Sequence, residues 1–342
     1  MTLHIEPFDQ YTASEADIAR VHDLWCLFDA EYFPDDPPKP LEQRIAEFRR
    51  VRPHRLQPKW LGEVDGELVG LSGAWIDTNR QDKNVFGLVF VKPEARGRGF
   101  ARPLAEAVVD AADEVVRDVF VTEVVKDGPE APLIETIGLK PVLQERISRL
   151  RVADIDRGLM QTWIDRAAER ASDYELVLHE SPMPDEVAEK YVVLHDVMNT
   201  APLEGLEEAP ETLTVELWQE MERGHAGAGE TMLTCIAVHR PSGEYAGFTT
   251  LKYQSKHPVE GHQFDTGVNP EHRNKGLGRW IKAANILEFT SRFPDVQWID
   301  TGNAGSNEPM LNINYEMGFK TECVVQVYQG PIDLVRNWVD KG

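Results

Sequence analysis

Apolar positions along this chain follow two periods that alternate. From Glu15 to Asp29, Ile18, Val21, Leu24, Trp25 and Phe28 recur at three- and four-residue steps, which predicts an amphipathic helix. Asp35-Asp36-Pro37-Pro38 breaks the chain, and residues 41–50 read as a second helix. Apolar runs near 61–64, 68–76 and 85–91 predict strands. A glycine turn then leads into a helix over 101–117, with Pro103 in its first turn, where a missing N–H costs little. A strand near 119–124, a short helix near 131–137 and a strand near 144–150 close the series. Residues 153–172 are helical and charged, the reading of a linker helix. The series then runs again: a strand at 174–179, helices at 185–199 and 214–223, and strands at 231–239, 245–254 and 262–268. A second glycine turn, a helix at 279–292, a strand at 296–301, a helix at 309–317 and a strand at 323–328 follow.

The two series are related in sequence. Val91-Lys92-Pro93-Glu94-Ala95-Arg96-Gly97-Arg98-Gly99-Phe100-Ala101-Arg102 aligns without a gap with Val268-Asn269-Pro270-Glu271-His272-Arg273-Asn274-Lys275-Gly276-Leu277-Gly278-Arg279, at an offset of 177 (268 − 91). The same offset joins Gly66-Glu67-Leu68-Val69-Gly70 to Gly243-Glu244-Tyr245-Ala246-Gly247. Gly138 corresponds to Gly318, an offset of 180. Repetition on this scale indicates two copies of a domain, and 342 residues suit two cores better than one. The expected division is a first domain at 1–152, a linker helix at 153–172 and a second domain at 173–342.

Composition narrows the partners. The chain carries 36 basic and 58 acidic side chains, a formal charge of −22. Residues 1–172 hold 23 and 31 of them (−8) and residues 173–342 hold 13 and 27 (−14). Such a surface repels nucleic acid and anionic membrane. No apolar run is long enough to span a bilayer, and the first residues lack a basic, apolar leader pattern. Cys26, Cys235 and Cys323 lie far apart, as reduced thiols of a cytoplasmic protein would. His257 and His262 show no metal-ligand spacing, so no metal is expected.

The glycine turns carry the chemistry. A strand that passes through glycines into a helix presents unpaired N–H groups to an anion, and glycine lets the backbone approach it. Neither G-x-G-x-x-G after a first strand nor G-x-x-x-x-G-K-[ST] is present, which excludes the common dinucleotide and P-loop patterns. What is present is Arg-x-x-Gly-x-Gly after a strand ending in Val-x-Pro. That motif resembles the acetyl-CoA motif of the GCN5-related N-acetyltransferase (GNAT) superfamily, and the resemblance covers nearly the whole chain twice, in the tandem arrangement of mycothiol synthase-like proteins.

The resemblance implies an α+β fold: two tandem GNAT (acyl-CoA N-acyltransferase) domains, each a mixed, mostly antiparallel sheet with a V-shaped splay flanked by helices. It implies acetyl-CoA as co-substrate, direct attack of an amine on the thioester, and a small-molecule acceptor on a monomer or homodimer. On the second copy, Thr266, Gly267 and Val268 would lend backbone to the pantetheine arm. Arg273, Asn274, Lys275, Gly276, Leu277, Gly278 and Arg279 would hold the pyrophosphate, and Asn307 or Asn303 would contact the cofactor. The family's usual acid is a Tyr four residues before the Gly of a Gly-Phe pair; that position is Asn314, with Tyr315 about 100° further round the helix. Asp265, on the strand before the turn, is the candidate base or an anchor for a cationic acceptor; its other reading is a surface carboxylate. The acidic residues from Glu204 to Glu222, with no Lys or Arg between Tyr191 and Glu222, read as the wall of a site for a cationic amine or as a solvated face. In the first copy Val89, Phe90, Val91, Arg96, Gly97, Arg98, Gly99, Phe100 and Ala101 form a second possible CoA site. That copy has no asparagine loop, and Ile134 stands four before Gly138. The expectation is a degenerate first domain and an active second one. A non-catalytic acyl-CoA sensor is the alternative.

Overall fold

The computed structural model describes residues 2–341. They form two compact units. Unit 1 takes residues 2–145, Leu203–Ala209 and 323–341; unit 2 takes Arg146–Pro202 and Pro210–Glu322.

Unit 1 begins with β1 (His4–Pro7) and α1 (Glu15–Tyr32). Ser14 caps α1 by a reciprocal capping box with Asp17, which satisfies two end donors at once. As the apolar spacing predicts, α1 buries Ile18, Val21, Leu24 and Trp25. Then come α2 (Leu41–Arg49), β2 (Arg55–Leu56), β3 (Lys59–Val64), β4 (Glu67–Asp77), β5 (Asn84–Val91), α3 (Ala101–Glu114), β6 (Val119–Val125), α4 (Ala131–Ile137) and β7 (Lys140–Arg151). β4 and β5 pair antiparallel from Gly70↔Val91 to Trp75↔Phe86. β5 and β6 run parallel and pair only over Asn84–Phe86 and Val119–Val121. Past that point the two strands splay.

Unit 2 receives the last residues of β7, then α5 (Arg157–Arg170), β8 (Tyr174–Glu180), α6 (Asp185–His195), α7 (Val215–Gly227), β9 (Glu230–His239), β10 (Glu244–Gln254), β11 (Glu260–Val268), α8 (Leu277–Arg292), β12 (Trp298–Ala304) and α9 (Glu308–Met317). Here β11 and β12 pair in parallel over Glu260–His262 and Trp298–Asp300, then part. Each unit therefore has the same mixed sheet and the same V.

The chain divides differently from an end-to-end duplication. Its final strand, β13 (Lys320–Pro331), pairs with β6 from Val325↔Val125 to Pro331↔Val119, and α10 (Ile332–Asp340) follows. Ile332 and Val335 enter the same buried cluster as Val108, Val109 and Phe120. The closing strand of the second copy thus completes the sheet of unit 1. Residues 153–172 are not a spacer: α5 packs on α8, and Met160, Trp163, Ala167 and Ala171 are buried in the two core clusters there. Their spacing of three and four residues was the helical stripe of a core element.

The acidic segment also has a different place. Leu203–Ala209 straps unit 1. Asn84 Nδ2 and Gln329 Nε2 donate to the Glu207 carbonyl at 2.9 and 2.8 Å, the Gly205 N–H donates to the Val142 carbonyl at 2.9 Å, and Glu208 pairs with Arg80. Glu204, Glu207 and Glu208 do not wall a site of the second copy. Glu222 is buried in unit 2, where its carboxylate accepts the Met183 N–H at 3.0 Å.

Candidate acyl-CoA clefts

The two glycine turns have matching backbones. Gly97 and Gly99 hold φ of 74° and 84°; Asn274 and Gly276, their counterparts at the 177 offset, hold 65° and 83°. Left-handed residues alternating with right-handed ones curl successive N–H groups towards one point. Among the described residues, the N–H groups from Gly97 to Ala101 and from Asn274 to Arg279 donate to no backbone carbonyl. The leading arginine is spent alike in both turns. Arg96 Nε donates to the Val91 carbonyl and Arg273 Nε to the Val268 carbonyl, each at 3.0 Å. These arginines brace the strand-to-turn corner, so that an anion at the turn would meet backbone donors and the helix dipole.

In unit 1 the splay opens into a cavity of about 420 Å³. It runs from Gly87–Val91 of β5 and Thr122–Val125 of β6 to the turn at Arg96–Ala101, with Phe28, Glu31 and Tyr32 of α1 along one side and Ile134, Ile137 and Trp338 further round. Val89, Phe90 and Val91 thus line the cavity. Phe120 fills the apex of the V: a Cβ on Gly87 would lie 2.3 Å from its ring. Arg96 reaches into the cavity, where it pairs with Glu31 and, at 3.0 Å, with Glu130. Arg98 is exposed beside the turn and donates to the Glu94 carbonyl. Arg102 donates to the Trp338 carbonyl at 2.7 Å and covers its ring.

Two titratable groups in this cavity were missed by sequence reasoning. Glu123 projects from β6; enclosure by protein, then repulsion from Glu145, pushes its carboxyl up to about 7. The side chain is open to solvent in the cavity, and that solvent moderates the shift. Tyr32 is raised above its ordinary phenol value, chiefly by burial and then by Glu123, so it stays a neutral O–H donor. Alternation along β6, with Thr122 and Val124 buried and Glu123 exposed, was the one available signal for Glu123.

In unit 2 the predicted residues are differently engaged. Thr266, Gly267 and Val268 lie on the splayed end of β11, and Thr266 Oγ1 meets Thr249 Oγ1 at 2.7 Å. A Cβ on Gly267 would lie 2.3 Å from Val197, so glycine there lets the segment after α6 press on the strand. Lys275 turns inward to the Tyr174 hydroxyl at 2.6 Å, and that hydroxyl also meets His272 Nδ1 at 2.7 Å. His272 is therefore buried and bonded. Leu277 is buried; Gly278 opens the helix with its α-carbon face against Ile313. Arg279 forks onto Glu316 at 3.1 and 2.7 Å.

The asparagines serve α9. Asn307 caps it, accepting from the Met310 N–H at 3.4 Å, and Asn303 Oδ1 accepts from Asn314 Nδ2 at 2.7 Å. Asn314 is 1% exposed, and its Oδ1 has no donor. Tyr315 points away as its helical position requires; its hydroxyl meets Thr321 Oγ1 at 3.2 Å and Arg146 at 3.3 Å. Asp265 lies 3.2 Å, Oδ2 to Nε2, from His195, seventy residues earlier.

Residues 20–131 match the sequence profile of the Acetyltransferase (GNAT) family. That stretch carries a GNAT-family domain, and the chain as a whole has a tandem GNAT fold. Its fold is similar over 96% of its length to a tandem GNAT protein from the clavulanic acid biosynthesis pathway, with 98% of that chain covered, 20% identity and a TM-score of 0.77. A GCN5-related N-acetyltransferase from Sphaerobacter thermophilus gives 14% identity, 96% coverage of both chains and a TM-score of 0.69. A putative acetyltransferase from Pyrococcus horikoshii gives 11%, 96% and 89% coverage and 0.56. No curated protein matches the sequence. Among the described residues no group of His, Cys, Asp and Glu could hold a metal ion, and no helix is long and apolar enough to cross a membrane.

Proposed function

We propose that this tandem GNAT protein is an acetyl-CoA-dependent N-acetyltransferase and that unit 1 binds the coenzyme. The observation that carries this is the open cavity in the splay of β5 and β6, ending at a turn whose N–H groups are unpaired. Residues Gly97 to Ala101 would hold the pyrophosphate, with Arg98 and the start of α3 adding positive potential. The parted edges of β5 and β6 offer hydrogen bonds to an amide-rich arm. The bound coenzyme supplies the acetyl group as a thioester.

Glu123 accepts the proton of the attacking amine. A carboxyl raised above its ordinary value is better matched to that task. Tyr32, neutral across the physiological range, donates a hydrogen bond towards the leaving sulfur, which as a thiolate of pKa near 8.5 needs little more. With Glu31 and Glu130 pairing Arg96, Glu123 is left as the cavity's carboxyl for a cationic amine.

The test is release of free thiol from acetyl-CoA with a panel of primary amines, together with calorimetry of acetyl-CoA binding. A Gly99→Trp variant places a ring on the turn, where the space around the α-carbon is open, and is expected to remove binding in unit 1. Unaltered binding would overturn the assignment of this cleft.

A further inference from the structure

His195 and Asp265 are a pair that the chemistry of unit 1 leaves unused. His195 is the last residue of α6, and its ring lies against Tyr191 and Phe248, with centroids at 5.8 and 5.5 Å. Nε2 faces Asp265 Oδ2 at 3.2 Å, and Nδ1 has no hydrogen-bond partner among the described residues. A carboxylate on one nitrogen fixes the tautomer that leaves the other as a base. Packing on two aromatic rings fixes the orientation.

The pair sits at the opening of the second V. Asp265 lies two residues past Gln263, whose carbonyl accepts the Thr301 hydroxyl at 3.2 Å. The next residues of β11 are past its pairing with β12. They lead to the turn at Asn274–Arg279, where N–H groups again lack acceptors. The faces are divided: Thr266 looks towards Thr249, whose carbonyl Asn285 of α8 holds, while Asp265 and Gly267 look towards α6 and the turn after it. His195 is the α6 residue that Asp265 meets on this face. At the 177 offset the counterpart of Asp265 is Leu88, so unit 1 has no equivalent pair.

Resting on the acetyltransferase reading, we propose that unit 2 is a second acyl-transfer centre in which His195 is the general base for a primary amine and Asp265 is its positioning residue. The amine nitrogen forms a bond to the thioester carbonyl carbon, and the carbon–sulfur bond breaks with its electron pair on sulfur. The amine proton moves to His195 Nδ1, then to the thiolate or solvent.

The experiment uses the full chain and two readouts, the number of acetyl-CoA molecules bound and thiol release with the amine most rapidly acetylated. Wild type is expected to bind two per chain and Gly99→Trp one, with residual thiol release. Adding His195→Ala should leave that one site filled and lower the residual kcat about 100-fold or more, the usual scale for losing a general base. One acetyl-CoA on Gly99→Trp with no residual thiol release, or release indifferent to His195→Ala, overturns the second centre and leaves the unit 1 reading standing. Two molecules on Gly99→Trp overturn the unit 1 reading instead. No thiol release by wild type with any amine of the panel overturns both.

Discussion

Arg149 holds Asp300 by a fork: Nε to Oδ1 at 2.7 Å and Nη2 to Oδ2 at 2.8 Å, both side chains almost wholly buried in unit 2. Arg149 also lies 4.9 Å over the Trp298 ring. Planar two-point pairing is what makes arginine suited to such a site. Asp300 is the last residue of β12 that pairs with β11, so the fork pins the apex of the V.

Breaking this pair strands a buried charge. Arg149→Ala is expected to destabilise unit 2 by about 3–5 kcal/mol, read from urea unfolding. Replacing both partners by apolar residues of similar size should cost much less. Equal losses for the single and the double replacement would mean that the fork is not what stabilises the apex.

Lys282 has the opposite character. It is 1% exposed on α8, among the described residues no carboxylate pairs with it, and burial lowers its ammonium to about 7, with the Phe319 ring 5.8 Å away. A base whose value falls on folding penalises the folded state wherever the unfolded chain is charged. The penalty is full below about 7 and fades as pH rises towards the ordinary lysine value of about 10.4. Lys282→Met should therefore raise the melting temperature, more at pH 6 than at pH 10. A gain of the same size at both pH values would show that packing, not charge, is responsible.

Glu123→Gln removes the proposed base of unit 1. The expected loss is about 10²- to 10⁴-fold in kcat, with acetyl-CoA affinity retained in calorimetry. The rise of rate with pH above the ordinary carboxyl range should vanish with it, because the carboxylate is the active form. A variant that lost coenzyme binding along with rate would instead assign Glu123 to the binding of the coenzyme.

Ending the chain after Glu322 should unfold unit 1 and spare unit 2. Hydrogen exchange would read it: the amides of β5 and β6 lose protection, whereas those of β9 and β10 keep it. Protection of β6 in the shortened protein would show that β13 is dispensable to that sheet.

Much of this was legible in the sequence. The helical stripe of α1, the strands of both meanders and the doubled turn follow from local rules, and Gly97, Gly99 and Gly276 mark left-handed positions that their residue type announces. Asn274 announces one less loudly, as one of the few other residues that tolerates it. The rest depends on partners distant in sequence. His195 and Asp265 are 70 apart, and Arg149 and Asp300 are 151 apart; nothing in the spacing of either pair points to the other member. The apolar run of β13 predicted a strand, but a strand carries no address for its neighbour, and its pairing with β6 reaches back some 200 residues. In α5 the signal was present, at Met160, Trp163 and Ala167, and its charged face hid it.

The pairing of β13 with β6 makes the order of synthesis matter. A nascent unit 1 has all its helices but α10 and an unfilled strand position, with the Phe120 side of its core uncovered, while the whole of unit 2 is translated. It cannot close until residues 323–331 leave the ribosome. Unit 2 contains nothing made after Glu322 and can close first. The second half to be made is then the first able to finish folding, and a gene cut between the two copies leaves both short, unit 1 of β13 and unit 2 of Arg149 and Leu150.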